Sequence, residues 1–113
     1  MVKVYHNPRC SKSREGVCFL EEHKIAFETI KYLDQLITKK ELKSILKKLN
    51  YAPIQLIRTK EKIWIENYKN KELSDDQIID AMLQNPNLIE RPIIINGDKA
   101  VIARPKEKIT EIL

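Results

Sequence analysis

The residues able to do chemistry in this chain are few: Cys10 and Cys18, His6 and His23, and five arginines among 113 residues. Cys10 lies in YHNPRCSKSREG, residues 5–16. There the β-favouring stretch Met1–Tyr5 gives way to a segment, Arg14–Glu22, with no proline and one glycine. Ser11 and Ser13 are both good helix N-cap types. A thiol at a helix start faces unpaired backbone N–H groups and the positive end of the backbone dipole, and both favour thiolate over thiol. The position suits a nucleophile. It also suits a small, inert, buried cysteine, the commoner condition of unpaired cysteines, and position alone leaves the two readings level.

The five arginines, against sixteen lysines, are informative because they are scarce. Arg9 and Arg14 flank Cys10, Arg58 ends an expected short helix, and Arg91 and Arg104 each precede a proline at the opening of an element. A guanidinium offers paired, planar donors to a tetrahedral oxyanion, which an ammonium does not match. For any one arginine taken singly, a surface ion pair is the commoner role.

These residues need a frame. Met1–Tyr5 predicts a first strand and AFETIKY, Ala26–Tyr32, a second, so the first 32 residues read as strand, helix, strand, with parallel pairing and a right-handed crossover. Thr38-Lys39-Lys40-Glu41 is a capping-box pattern, and Leu42, Ile45, Leu46 and Leu49 follow on one helical face up to about Asn50. Short helices are expected at Ile54–Arg58 and Glu61–Tyr68, and another after Ser74 with Ile78, Ile79, Met82 and Leu83 inward, stopped by Asn85-Pro86. Residues 38–84 thus read as almost wholly helical. Pro92–Ile95 and Lys99–Ile102 flank Asn96-Gly97, a strong hairpin signal. Pro105 suits the first position of a closing helix with Ile109, Ile112 and Leu113 on its apolar side. The order β-α-β, helices, β-β-α predicts an α/β fold with a small mixed four-stranded sheet and helices on its faces, as one domain carrying a helical insertion at about 38–84.

Composition narrows the function classes. A chain of this length with 42% apolar residues can bury one modest core. It has no apolar run of membrane-span length and no secretion-signal pattern at its start, so a soluble, cytoplasmic protein with no membrane partner is expected. Two cysteines make no stapled secreted framework. If the intervening segment is helical, Cys10 and Cys18 are separated by ~12 Å and cannot pair, so any disulfide of Cys10 takes its second sulfur from another molecule. Cys18, between Val17 and Phe19, is expected in the core, and His23 at a solvated helix end. The net charge of +5 comes from lysines mixed with acids along helices, which reads as solvated faces and not as a nucleic-acid stripe. Cys and His lack the paired short spacings of a structural metal site, and with only Gly16 and Gly97 there is no phosphate loop.

Taken together, YHNPRCSKSR, LIRTKE and DDQIIDAMLQNPNLIERPIIINGDKAVIARP, in that order, resemble the ArsC-type, glutaredoxin-linked arsenate reductases over nearly the whole chain. The resemblance implies a thioredoxin-like sheet with an inserted helical block. It matches Cys10 to the catalytic cysteine, and Arg58, Arg91 and Arg104 to three arginines that bind the oxyanion. His6 and Asn7 match the Tyr-His-Asn-Pro start, Ser13 lies in the same motif, and Pro92 falls where thioredoxin-like proteins hold a cis proline. Implied too are arsenate or a similar oxyanion as substrate, glutathione as thiol co-substrate with no bound cofactor, and glutaredoxin as partner; no nucleic-acid partner and a monomer are expected. Spx-type regulators that bind RNA polymerase resemble the chain as well, but carry a C-x-x-C redox pair and no arginine matching Arg104; here the fourth position of Cys10-Ser11-Lys12-Ser13 is serine. The other arsenate reductases, built like small tyrosine phosphatases, need C-x5-R, and residue 16 is glycine. A general glutathione-dependent thiol reductase with no use for arsenate is the third reading.

Overall fold

The computed structural model describes all 113 residues. Its chain divides into two compact units, Met1–Gln35 with Arg91–Leu113, and Leu36–Glu90. In the first unit, strand β1 (Val2–Tyr5) leads into helix α1 (Ser11–Glu22) and strand β2 (Phe27–Ile30), and the chain returns as the hairpin β3 (Ile93–Asn96) and β4 (Lys99–Ile102). The four strands form one mixed, thioredoxin-like sheet in the order β2-β1-β3-β4, with β1 parallel to β2 and antiparallel to β3. Val2, Val4 and Ile94 are fully or nearly buried, with Phe19 and Leu20 of α1 and Ile109 and Ile112 of the C-terminal segment in the same core. Edge strand β2 is half exposed, as one-sided packing requires.

The second unit is helical. Helix α2 (Lys39–Leu49) starts on Thr38, whose hydroxyl accepts from the Glu41 N–H, and stops on Asn50 in the left-handed region. It buries Leu42, Ile45, Leu46 and Leu49. Helix α3 (Lys62–Asn67) is short; helix α4 (Asp75–Gln84) has a full capping box between Ser74 and Gln77 and buries Ile78, Ile79 and Met82. The region is less helical than its pattern suggests. Residues 53–56 form a single 3₁₀ turn, and residues 68–74 are non-helical. Ile57 and Ile89 instead form an isolated antiparallel bridge that closes this unit.

Three local expectations are revised. Cys10 itself is the N-cap of α1, so Ser11 and Ser13 lie inside the first turn. Cys18 is exposed, because the core-facing positions of α1 are Ser13, Gly16, Phe19 and Leu20 and the helical period turns residue 18 outward. The closing segment is a 3₁₀ helix (Lys106–Ile112) that starts after Pro105 and buries Ile109 and Ile112, three residues apart on one edge, while Leu113 is exposed. No helix is long and apolar enough to cross a membrane.

Candidate active site

The site is assembled where β1 ends. The Cys10 N–H donates to the Asn7 carbonyl at 3.0 Å, closing a tight turn, and the Cys10 carbonyl accepts the first helical bond from Arg14 at 3.0 Å. Cys10 keeps an extended backbone (φ −94°, ψ 124°), as an N-cap must. The residue is 9% exposed, so the thiol is sheltered without being sealed. Burial pushes this thiol up. The backbone N–H of Ser13, the Arg91 guanidinium as donor and as charge, and the backbone N–H of Lys12 outweigh that and bring the pKa to about 7 from the ordinary 9.0. The helix start therefore acts through amides at its second and third positions, and the decisive cation comes from residue 91, not from Arg9 or Arg14 beside the cysteine. Arg14 is turned away, donating from Nη1 to the Pro8 carbonyl at 3.1 Å.

The hairpin explains why two distant arginines meet here. Ile93 pairs with Ile102, and Ala103 N–H donates to the Pro92 carbonyl at 3.0 Å, so one step further along the same antiparallel register sets residue 91 across from residue 104. Arg104 Nε donates to the Arg91 carbonyl at 2.7 Å, and its Nη2 lies 3.5 Å from Cys10 Sγ. Arg91 Nε and Nη1 are buried and have no hydrogen-bond partner. Buried cationic donors without acceptors are costly, and an anion with several oxygens is the group that would satisfy them.

Pro92 follows a cis peptide, as does Pro105. Gly16 has a packing role that its neighbours in sequence do not mark. A Cβ there would lie 3.0 Å from Pro92 Cγ and 3.8 Å from Ala103 Cβ, so any larger residue would press on the proline ring, and glycine lets α1 settle this closely on it. The only available signal was scarcity, since Gly16 is one of two glycines.

The remaining motif residues form a network behind the turn. Ser13, fully buried, accepts the Asn7 N–H at 2.9 Å and lies 2.6 Å from His6 Nδ1. Asn7 Oδ1 accepts the Arg9 N–H at 3.0 Å. His6 is lowered from its ordinary pKa by burial, then by the charges of Lys31 and Arg14, so at neutral pH it is uncharged and adds no positive field to the thiolate. Arg58 lies in the helical unit, where its N–H donates to the Leu88 carbonyl at 2.7 Å. Its guanidinium pairs with the Glu61 carboxylate and donates to the Asn87 carbonyl. The first unit thus brings together Cys10, Arg91, Arg104, Pro92, His6, Asn7 and Ser13.

The ArsC family model matches residues 5–112. The chain belongs to the ArsC family. It is 45% identical to a protein of Haemophilus influenzae named arsenate reductase, over 99% of this chain and 98% of that one. It is 41% identical to an arsenate reductase of Neisseria meningitidis serogroup A, over 99% and 97%. Among solved structures, an arsenate reductase from Vibrio cholerae is 42% identical and superposes with a TM-score of 0.94, covering 99% of this chain and 97% of that one. This ArsC-family chain and those relatives are alike from end to end, so the likeness includes the β1–α1 turn and the hairpin as well as the helical unit.

Proposed function

We propose that this ArsC-family chain reduces arsenate(V) to arsenite(III). The observation that carries the reading is a sulfur titrating near 7, 3.5 Å from Arg104 Nη2, beside the two unpartnered buried donors of Arg91. Cys10 Sγ attacks arsenic, an As–S bond forms, and one arsenate oxygen leaves as water after protonation. A glutathione thiolate then attacks Cys10 Sγ. The S–As pair departs with arsenic, which is thereby reduced to arsenite, and a Cys10–glutathione disulfide forms. A glutaredoxin thiol resolves that disulfide and regenerates Cys10. Arg91 and Arg104 gather the dianion and spread the negative charge that grows as two anions meet. Arg58 supplies the third guanidinium, a role that rests on the family resemblance. An outside thiol is required because Cys18, on the exposed side of α1, cannot reach Cys10 while the helix is intact.

The test is a glutathione- and glutaredoxin-coupled arsenate reduction assay. Wild type turns over; Cys10→Ser does not; Arg91→Lys keeps the charge and raises KM for arsenate through loss of paired donation. Arsenate reduction by Cys10→Ser at the wild-type rate would exclude Cys10 as the nucleophile.

A further inference from the structure

A cavity of about 280 Å³ lies beside the turn that carries Cys10, lined by His6, Asn7, Pro8, Arg9, Lys31, Leu33 and Asp34. All of these belong to the first unit. Four are the residues just before Cys10; the rest follow β2, where the Asp34 and Gln35 N–H groups both donate to the Lys31 carbonyl at 2.9 Å and fold that segment into a turn. The volume is at the small end for a ligand pocket and fits a part of a small peptide better than an extended partner.

Its charges are distinctive. Two cations, Arg9 and Lys31, and one carboxylate, Asp34, share the rim, and none of the three takes part in an ion pair. Leu33, 37% exposed, and Pro8 add apolar surface. A γ-glutamyl tripeptide thiol presents the complementary charges, two carboxylates and one ammonium, and the methylenes of its γ-glutamyl arm are its short apolar part. The Cys10 N–H to Asn7 carbonyl bond keeps the ends of the intervening turn within about 7 Å, so only the short turn Pro8-Arg9 separates the lining residue Asn7 from Cys10.

We infer that this cavity seats the thiol co-substrate: Arg9 and Lys31 receive the carboxylates of a small zwitterionic peptide thiol of the glutathione kind and Asp34 its ammonium, with the thiol directed to Cys10. The inference deepens the reading above by giving its second substrate a site, and it is tested without arsenate. Oxidised glutathione exchanges with the Cys10 thiolate, forming one protein–glutathione disulfide and releasing one glutathione thiolate, with no other oxidant or reductant.

The rate is read by intact mass in a Cys18→Ala background at pH 8, where His6 is neutral, beside two comparators: neutral 2-hydroxyethyl disulfide and dianionic dithiodiglycolate. The Arg9→Glu/Lys31→Glu variant slows glutathionylation by roughly tenfold and leaves the neutral disulfide unchanged. Asp34→Lys discriminates by sign. A mere electrostatic field would make it speed up both anionic disulfides, whereas a seat that holds the ammonium makes it slow glutathionylation while dithiodiglycolate speeds up. Equal response of the two anionic disulfides in both variants, or no response, overturns the inference. Should the wild type fail to reduce arsenate yet show this selectivity, the proposed activity falls and the seat stands.

Discussion

At the scale of single residues, the central quantity is the ionisation of Cys10. A pKa of about 7 makes the thiolate roughly half populated at neutral pH, where an unperturbed thiol is only a few per cent ionised. The rate of alkylation of Cys10 by iodoacetamide should therefore rise with pH and inflect near 7. Arg91→Met, which removes both the donor and the charge, should move that inflection upward towards the ordinary range. An unmoved inflection would mean that the amides alone hold the thiolate. Ser13 offers a contrasting case, because its backbone N–H acts on the sulfur while its hydroxyl serves Asn7 and His6. Ser13→Ala should lower unfolding free energy by about 1–3 kcal/mol in urea, through the Asn7 N–H left unsatisfied, with the alkylation inflection still near 7.

At the scale of elements, the site depends on two close approaches. One is the β3–β4 register, which sets Arg104 against the Arg91 carbonyl. The sequence pattern bounds the strands at 92–95 and 99–102; the structure draws Asn96 into β3 opposite Lys99 and leaves a two-residue turn, with the positive φ on Gly97. Moving that pairing by one residue would set a different residue across from Arg91. The other approach is α1 on Pro92 through Gly16. Gly16→Val should cost about 1–3 kcal/mol by overpacking against the proline ring, measured by urea unfolding, and should displace Arg91 enough to raise the Cys10 inflection. Gly16→Ala should cost less, since a helix-propensity gain of about 1 kcal/mol offsets part of the strain.

At the scale of the whole molecule, the same ionisation is linked to stability. The thiol titrates near 7 in the folded protein and near 9.0 when unfolded, so between these values the unfolded chain holds more protons and stability rises with pH. The stabilisation is complete above the unfolded value and is lost as pH falls through about 7. His6, also lowered on folding, acts in the same direction below its ordinary 6.5. The difference in unfolding free energy between wild type and Cys10→Ser should grow by about 1–3 kcal/mol from pH 6 to pH 9 in favour of the wild type. A difference that is flat across that range would mean the folded thiol is not ionised early.

Much of this was legible in the amino-acid order alone, because it follows from local rules. The β-α-β opening, the Thr38 and Ser74 caps, the apolar face of α2 and the hairpin all depend on neighbours within a few residues, and YHNPRC marks the turn where a thiol meets a helix start. Cys18 was misplaced because its apolar neighbours suggested burial, while the helical period that turns it outward is set by which face of α1 meets the sheet. The field on Cys10 was equally out of reach. Adjacent Arg9 and Arg14 looked like its source, yet an arginine 81 residues away supplies it, brought there by strand register and by a glycine small enough to let α1 sit on Pro92. Charge and hydrogen bonding depend on distance in space, and sequence separation does not report that distance until the chain has folded.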